Sequence, residues 1–199
     1  MEDLKKKMDD ALWVALSLFE RGKTSGSSAN MSFCHEGRIY ITRSGACFGR
    51  LAASDFVVVE ADGACADGPR PSKELPLHLH YYAKSGDIRA VIHTHGPYAA
   101  LWSCRRVEQW EDVIPRYTPY LEMKVGKIAL VPYAAPGSQE LFALFAAAVD
   151  KGDAFLLKNH GAIVGGKSVM DAFYGIEELE ESARIACMIE GLGACEKIG

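Results

Sequence analysis

The chain has 199 residues, 49% of them apolar and 24% charged, with a formal net charge of −4. That balance predicts one globular domain spanning residues 1–199, with a core large enough to need no disulfides. It excludes a nucleic-acid partner, which would need a basic stripe, and a membrane span, which would need ~20 consecutive apolar residues.

In chain order, Leu4, Met8, Leu12, Val14, Ala15, Leu18 and Phe19 recur with a helical period that stops at Gly22, predicting a helix over residues 4–21. Short strands follow at 31–33 and 38–42 around a Glu36-Gly37 turn, with His35 expected to face solvent, and a third at 56–60 ends before Asp62-Gly63. Residues 72–84 read as a helix with its N-terminus at Ser72. A strand at 90–93 runs into a short helix at 98–104, and a loop carrying Pro115 and Pro119 leads to a strand at 128–131. A helix over 139–149 precedes a strand at 154–157, and Ala162-Ile163-Val164-Gly165 suggests a hairpin around Asn159-His160-Gly161. Ser168 caps a long final helix that is acidic at Glu177, Glu178 and Glu181 and apolar at Ala172, Ile176, Leu179 and Ala183. The expected architecture is α/β, a mixed or antiparallel sheet between helices. Six cysteines, at 34, 47, 65, 104, 187 and 195, form no Cys-x-x-Cys pair and read as small core residues or free thiols. The charged start has no signal-peptide core, so the expected location is the cytoplasm.

Chemistry concentrates at the strand ends. A lone histidine there is ordinarily a satisfied polar residue, but His93 and His95 sit two apart on a strand and project from one face toward a common point. His160 occupies another strand-to-turn junction, and three neutral imidazoles with an open position match a common ligand count for catalytic zinc. His78 and His80 share the same spacing but lie on a helix, where such a pair cannot chelate together. Three loops, Thr24 to Asn30, Thr42 to Gly45 and Arg70 to Glu74, offer the hydroxyls and freed backbone N–H groups that hold a phosphate monoester. Serine and glycine also cluster in ordinary turns. Glu74 either favours a helix dipole or faces the metal and shuttles protons.

The successive motifs Ser28-Ala29-Asn30-Met31-Ser32, Thr42-Arg43-Ser44-Gly45, Arg70-Pro71-Ser72-Lys73-Glu74, Val91-Ile92-His93-Thr94-His95 and Asn159-His160-Gly161 resemble, in order, the signatures of the class II aldolase/adducin family. The resemblance implies a three-layer α/β/α fold with a mixed, largely antiparallel sheet. It implies Zn2+ on His93, His95 and His160, with Glu74 as acid/base and phosphate contacts from Asn30, Ser44, Gly45, Ser72 and Lys73. It also implies a homotetramer with sites between subunits, each completed by a neighbour's tyrosine, here matched to Tyr120 in preference to Tyr117. Ala29 and Arg43 depart from the family pattern, which has glycine and a small residue or proline there. Residues 117–137, with Ser44 to Gly49 and Glu177 to Glu181, are most similar to 3-oxo-tetronate 4-phosphate decarboxylases. Their expected reaction releases CO2 through a metal-stabilised enediolate to give dihydroxyacetone phosphate. A fuculose-phosphate aldolase, which expels an aldehyde to reach the same enediolate, is the alternative. Sugar-phosphate epimerase or dehydratase readings match less closely, and a metal-free adducin-like interaction domain would not need these four residues.

Overall fold

A computed structural model describes residues 2–191. Helix α1 (Glu2–Glu20) leads into the hairpin β1 (Asn30–His35) and β2 (Arg38–Thr42), then β3 (Phe56–Val59) and α2 (Leu75–Lys84). Strand β4 (Ala90–Thr94), α3 (Pro97–Ser103), α4 (Tyr120–Lys124) and β5 (Ile128–Val131) follow. The chain continues through α5 (Gln139–Ala148), β6 (Ala154–Leu157), β7 (Gly161–Gly166) and α6 (Val169–Glu190). The strands form one sheet in the order β3-β2-β1-β4-β7-β6-β5, in which β5 and β6 alone are parallel. The sheet is therefore mixed and largely antiparallel, with helices on both faces.

Alternation along each strand sorts the core into two layers. Met31, Phe33, Ile92, Leu156 and Val164 pack with Val14 and Leu18 of α1 and Ile176 and Leu179 of α6. Val91, Phe155 and Ile163 face Leu77 and Tyr81 of α2 and Phe142 and Phe145 of α5. By the same alternation His93 lies on the α2 side, next to Val91 in the pleat, and Asn30 stands directly across from it on β1.

Several expectations need correction. His35 is 9% exposed, not solvent-facing, because its ring packs near Tyr40 and its Nδ1 lies 3.2 Å from the Asp3 carboxylate. Ser72 does not open a helix. It sits in a turn in which its Oγ accepts from the Glu74 N–H at 3.3 Å and its carbonyl from Leu75, and the helix begins at Leu75. Of the two readings for the cysteines, the free thiol is the one seen at 34, 47, 65, 104 and 187, none of which is fully buried, and Cys195 lies outside the described residues. Helix α4 is unanticipated, since five residues are too few for a periodicity to show.

Glu180 breaks the pattern of its helix. It is 3% exposed, and its two carboxylate oxygens accept from the N–H groups of Tyr98 and Ala99, each at 2.8 Å. A carboxylate from α6 thus caps α3 and pins the turn that leaves β4. A side chain at Gly96 would collide with it. Replacing Glu180 by alanine should leave those buried donors without an acceptor and lower stability by about 1–3 kcal/mol in urea unfolding.

Candidate active site

Three imidazoles converge where β4 ends and the β6–β7 turn begins. His93 is fully buried, and its Nδ1 lies 2.9 Å from the Ala162 carbonyl oxygen, a partner that can only accept. The proton of the neutral ring is therefore on Nδ1, and Nε2 presents a lone pair. That Nε2 is 3.0 Å from Nε2 of His95. His160 reaches the same point from the turn, with ring centroids 4.9 Å from His93 and 4.6 Å from His95. Asn159 makes that turn in the left-handed region at φ 55°, a conformation asparagine tolerates. Gly161 follows because a Cβ there would strike the Thr94 carbonyl oxygen, so only glycine lets β7 approach β4 this closely.

One nitrogen from each ring lies within 4.8 Å of the others. Nitrogens about 2.0–2.1 Å from a tetrahedral ion would be about 3.3 Å apart, so small rotations suffice. Both ring nitrogens of His160 and Oε1 of Glu74 are buried without a hydrogen-bond partner. Such atoms are costly unless something satisfies them. The Glu74 oxygens lie 3.4 Å from His93 Nε2 and 3.5 Å from His160 Nε2. Burial pushes His93 and His160 down to about 3 and lowers His95 as well, which keeps the rings in the unprotonated form that ligates. The donor set therefore fits a divalent cation.

Glu74 immediately precedes α2, yet its side chain makes no capping hydrogen bond. It is 4% exposed and accepts from Asn30 Nδ2 at 2.9 Å, so the helix-dipole reading gives way to one in which it faces the histidines. A cleft of about 160 Å³ opens beside this cluster. Asn30, Ser44, Gly45, Ser72 and Lys73 all line it, as do Glu74, His95 and His160. The loops are held side by side by backbone bonds, Ser44 N–H to the Arg70 carbonyl at 2.9 Å and Ser72 N–H to the Thr42 carbonyl at 3.0 Å. Gly45 takes φ 75°, which turns the backbone at the cleft edge. Arg43 lines the cleft too, with its guanidinium 2.6 Å from Asp55. Tyr120 is 55% exposed at the start of α4 and is not among the residues lining this cleft, whereas Tyr117 packs against the core.

The model of the class II aldolase and adducin N-terminal domain matches residues 10–187, from α1 into α6, and so takes in every residue of the cleft. The chain belongs to this family. Within the family it is 35% identical to the 3-oxo-tetronate 4-phosphate decarboxylase of Haemophilus influenzae, over 96% of this chain and 91% of that protein. It is 34% identical to an L-fuculose phosphate aldolase of Methanococcus maripaludis, over 88% and 93%. The crystal structure of YgbL from Escherichia coli superposes with a TM-score of 0.90 at 33% identity, covering 96% of this chain and 93% of that one.

Three polar residues behind Glu74 carried no functional role in the sequence reading: Ser32, quoted only within a motif, His78, quoted only as half of a helical pair, and Tyr82. Their signal was a four-residue spacing, since Glu74, immediately before α2, is followed by His78 and Tyr82 on one face of that helix, and Asn30 and Ser32 share one face of β1.

Two outcomes follow from this geometry. His160→Ala should abolish stoichiometric binding of a divalent cation, read as metal content after dialysis, while the circular dichroism stays that of the parent protein. The pKa values of His78, His93 and His160 are all pushed down to about 3 by burial, from an ordinary 6.5. The unfolded chain therefore binds more protons below pH 6.5. The stability of metal-free protein should be level above pH 6.5 and fall from there toward pH 3, by up to about 1.4 kcal/mol per pH unit for each histidine, as measured by urea midpoints across pH.

Proposed function

We propose that the chain is a zinc-dependent decarboxylase acting on a 3-oxo-tetronate 4-phosphate to give CO2 and dihydroxyacetone phosphate. The observation that carries this reading is the buried Glu74 carboxylate set against three imidazoles at one end of a cleft lined by small polar residues. Its likeness to the Haemophilus influenzae decarboxylase over nearly its whole length supports the choice of reaction.

Ser44, Gly45, Ser72 and Lys73 would hold the 4-phosphate, by hydroxyls, a freed N–H and an ammonium, and so fix the other end of the substrate against the histidines. When bound at His93, His95 and His160, zinc would supply Lewis acidity at the substrate's carbonyl oxygen. The C1–C2 bond breaks with its electron pair moving onto C2 and into the C3 carbonyl, and CO2 departs. One proton taken up from solvent is then relayed to C2 by Glu74, or by Tyr120 of a neighbouring subunit, which leaves dihydroxyacetone phosphate. Exclusion of water by the buried His93 and Glu74 strengthens every charge interaction there. The exposed Tyr120 outside its own cleft fits a homotetramer with sites between subunits, and the unpaired cysteines fit the cytoplasm.

An aldolase of the fuculose-phosphate type is the second reading, favoured by the Methanococcus maripaludis relative. It would use the same histidines and acid, so products decide. Zinc-loaded protein given 3-oxo-tetronate 4-phosphates of both configurations should release CO2 and dihydroxyacetone phosphate in equal amounts. Ser72→Ala should cut kcat/KM by roughly ten- to a hundred-fold. Absence of CO2 from metal-loaded protein, with an aldehyde condensing with dihydroxyacetone phosphate, would establish the aldolase instead.

A further inference from the structure

Behind Glu74 a line of polar side chains runs through the α2–β1 interface. Asn30 Nδ2 lies 2.9 Å from Glu74 Oε2, and Asn30 Oδ1 lies 2.6 Å from His78 Nε2. His78 Nδ1 lies 2.7 Å from Ser32 Oγ, which is 2.6 Å from the Tyr82 hydroxyl. His78 is wholly buried, and Asn30, Ser32 and Glu74 are each at most 6% exposed, so none of these four can turn to solvent for another partner, while Tyr82 at the far end is half-buried.

Donor and acceptor logic fixes the direction of every bond. Glu74 Oε2 accepts from the Asn30 NH2, which turns the Asn30 oxygen to His78. That oxygen needs a donor, which puts the proton of the neutral His78 ring on Nε2. His78 Nδ1 is then an acceptor and takes the Ser32 O–H, leaving Ser32 Oγ to accept from the Tyr82 O–H. Glu74 Oε2 is held as a permanent acceptor, while Oε1 has no hydrogen-bond partner and lies on the His160 side.

We propose that His78 is a positioning residue, which through Asn30 locks the Glu74 carboxylate so that Oε1 is the oxygen that exchanges a proton with substrate. The inference rests on the proton-transfer role given to Glu74 above. His78 touches neither the cleft nor the three converging histidine nitrogens. Without its Nε2–H, the Asn30 amide loses the partner that dictates its orientation. It can then flip, setting an oxygen against the carboxylate.

Two measurements test this. Nitrogen-15 NMR of the full chain with labelled histidine, assigned by the signals lost in His78→Gln, should show His78 neutral, with a pyrrole-type Nε2 and a pyridine-type Nδ1, whether or not metal is bound. A protonated Nδ1 would overturn the proposal, and this readout needs no turnover. In kinetics, His78→Phe should lower kcat by roughly ten- to a hundred-fold with KM changed less than about threefold, at unaltered metal content. His78→Gln, which keeps a donor for Asn30, should recover most of that loss. The double variant His78→Phe with Asn30→Leu should be no slower than Asn30→Leu alone, since one acts through the other. Losses that multiply, or a Gln variant as slow as Phe, would reduce His78 to a packing residue and sink the proposal. If His78→Phe does not fold, the tautomer and the Gln variant still decide. If the parent protein turns over no 3-oxo-tetronate phosphate, the functional reading fails while the tautomer result stands by itself.

Discussion

Strand β4 is hydrogen-bonded along both edges, to β1 on one side and β7 on the other, and the pairing on each side places His93 at a fixed station, across from Asn30 and from Ile163. A slip by one residue would send His93 to the face occupied by α1 and α6 and bring Ile92 to the cleft side. Burial of Val91 against Phe155 and Ile163, and of Ile92 against the opposite layer, opposes that slip from both faces at once. The apolar core is therefore what aims the imidazoles. Glu180 extends the constraint past the strand end by holding the first N–H groups of α3, so that His95 leaves β4 along a defined path.

The same burial makes the cluster electrostatically expensive. Three rings and a carboxylate are packed where water cannot reach most of their atoms, and the rings answer by staying neutral. The Glu74 carboxylate gains only one hydrogen bond among the described residues, from Asn30, and the His160 ring gains none. A folded chain tolerates such unmet valence at few places, chiefly where a ligand is to supply what the protein does not. The polar line behind Asn30 is the opposite case. Every member has its partner, so it can be rigid without cost to the core.

Much of this was legible in the sequence because strand and helix periods are local. The i, i+2 spacing of His93 and His95 on an apolar run already put both rings on one face, and the Asn159-His160-Gly161 turn announced the hairpin that brings the third. The ordered motifs pointed to the family and to the loops that now line one cleft. What stayed hidden depends on partners distant in the chain. Burial of His35 comes from Asp3, 32 residues earlier at the start of α1, and from Tyr40 on β2, and Glu180 stands in an acidic run of α6 whose sequence does not show that its target N–H groups lie in α3. His78 was visible only as half of a pair that cannot chelate, since its worth comes from Asn30 and Ser32 on β1.

Topology adds a temporal order to the assembly. Strand β7 sits near the middle of the sheet, joining β4 to β6, yet it is the last strand among the described residues. During synthesis the first four strands and the β5–β6 pair have no hydrogen-bonded connection until residues 161–166 are made. His93 and His95 are present long before that, but as a two-nitrogen fragment with no third ring. The three-imidazole cluster is thus completed only when the sheet closes, late in the making of the fold.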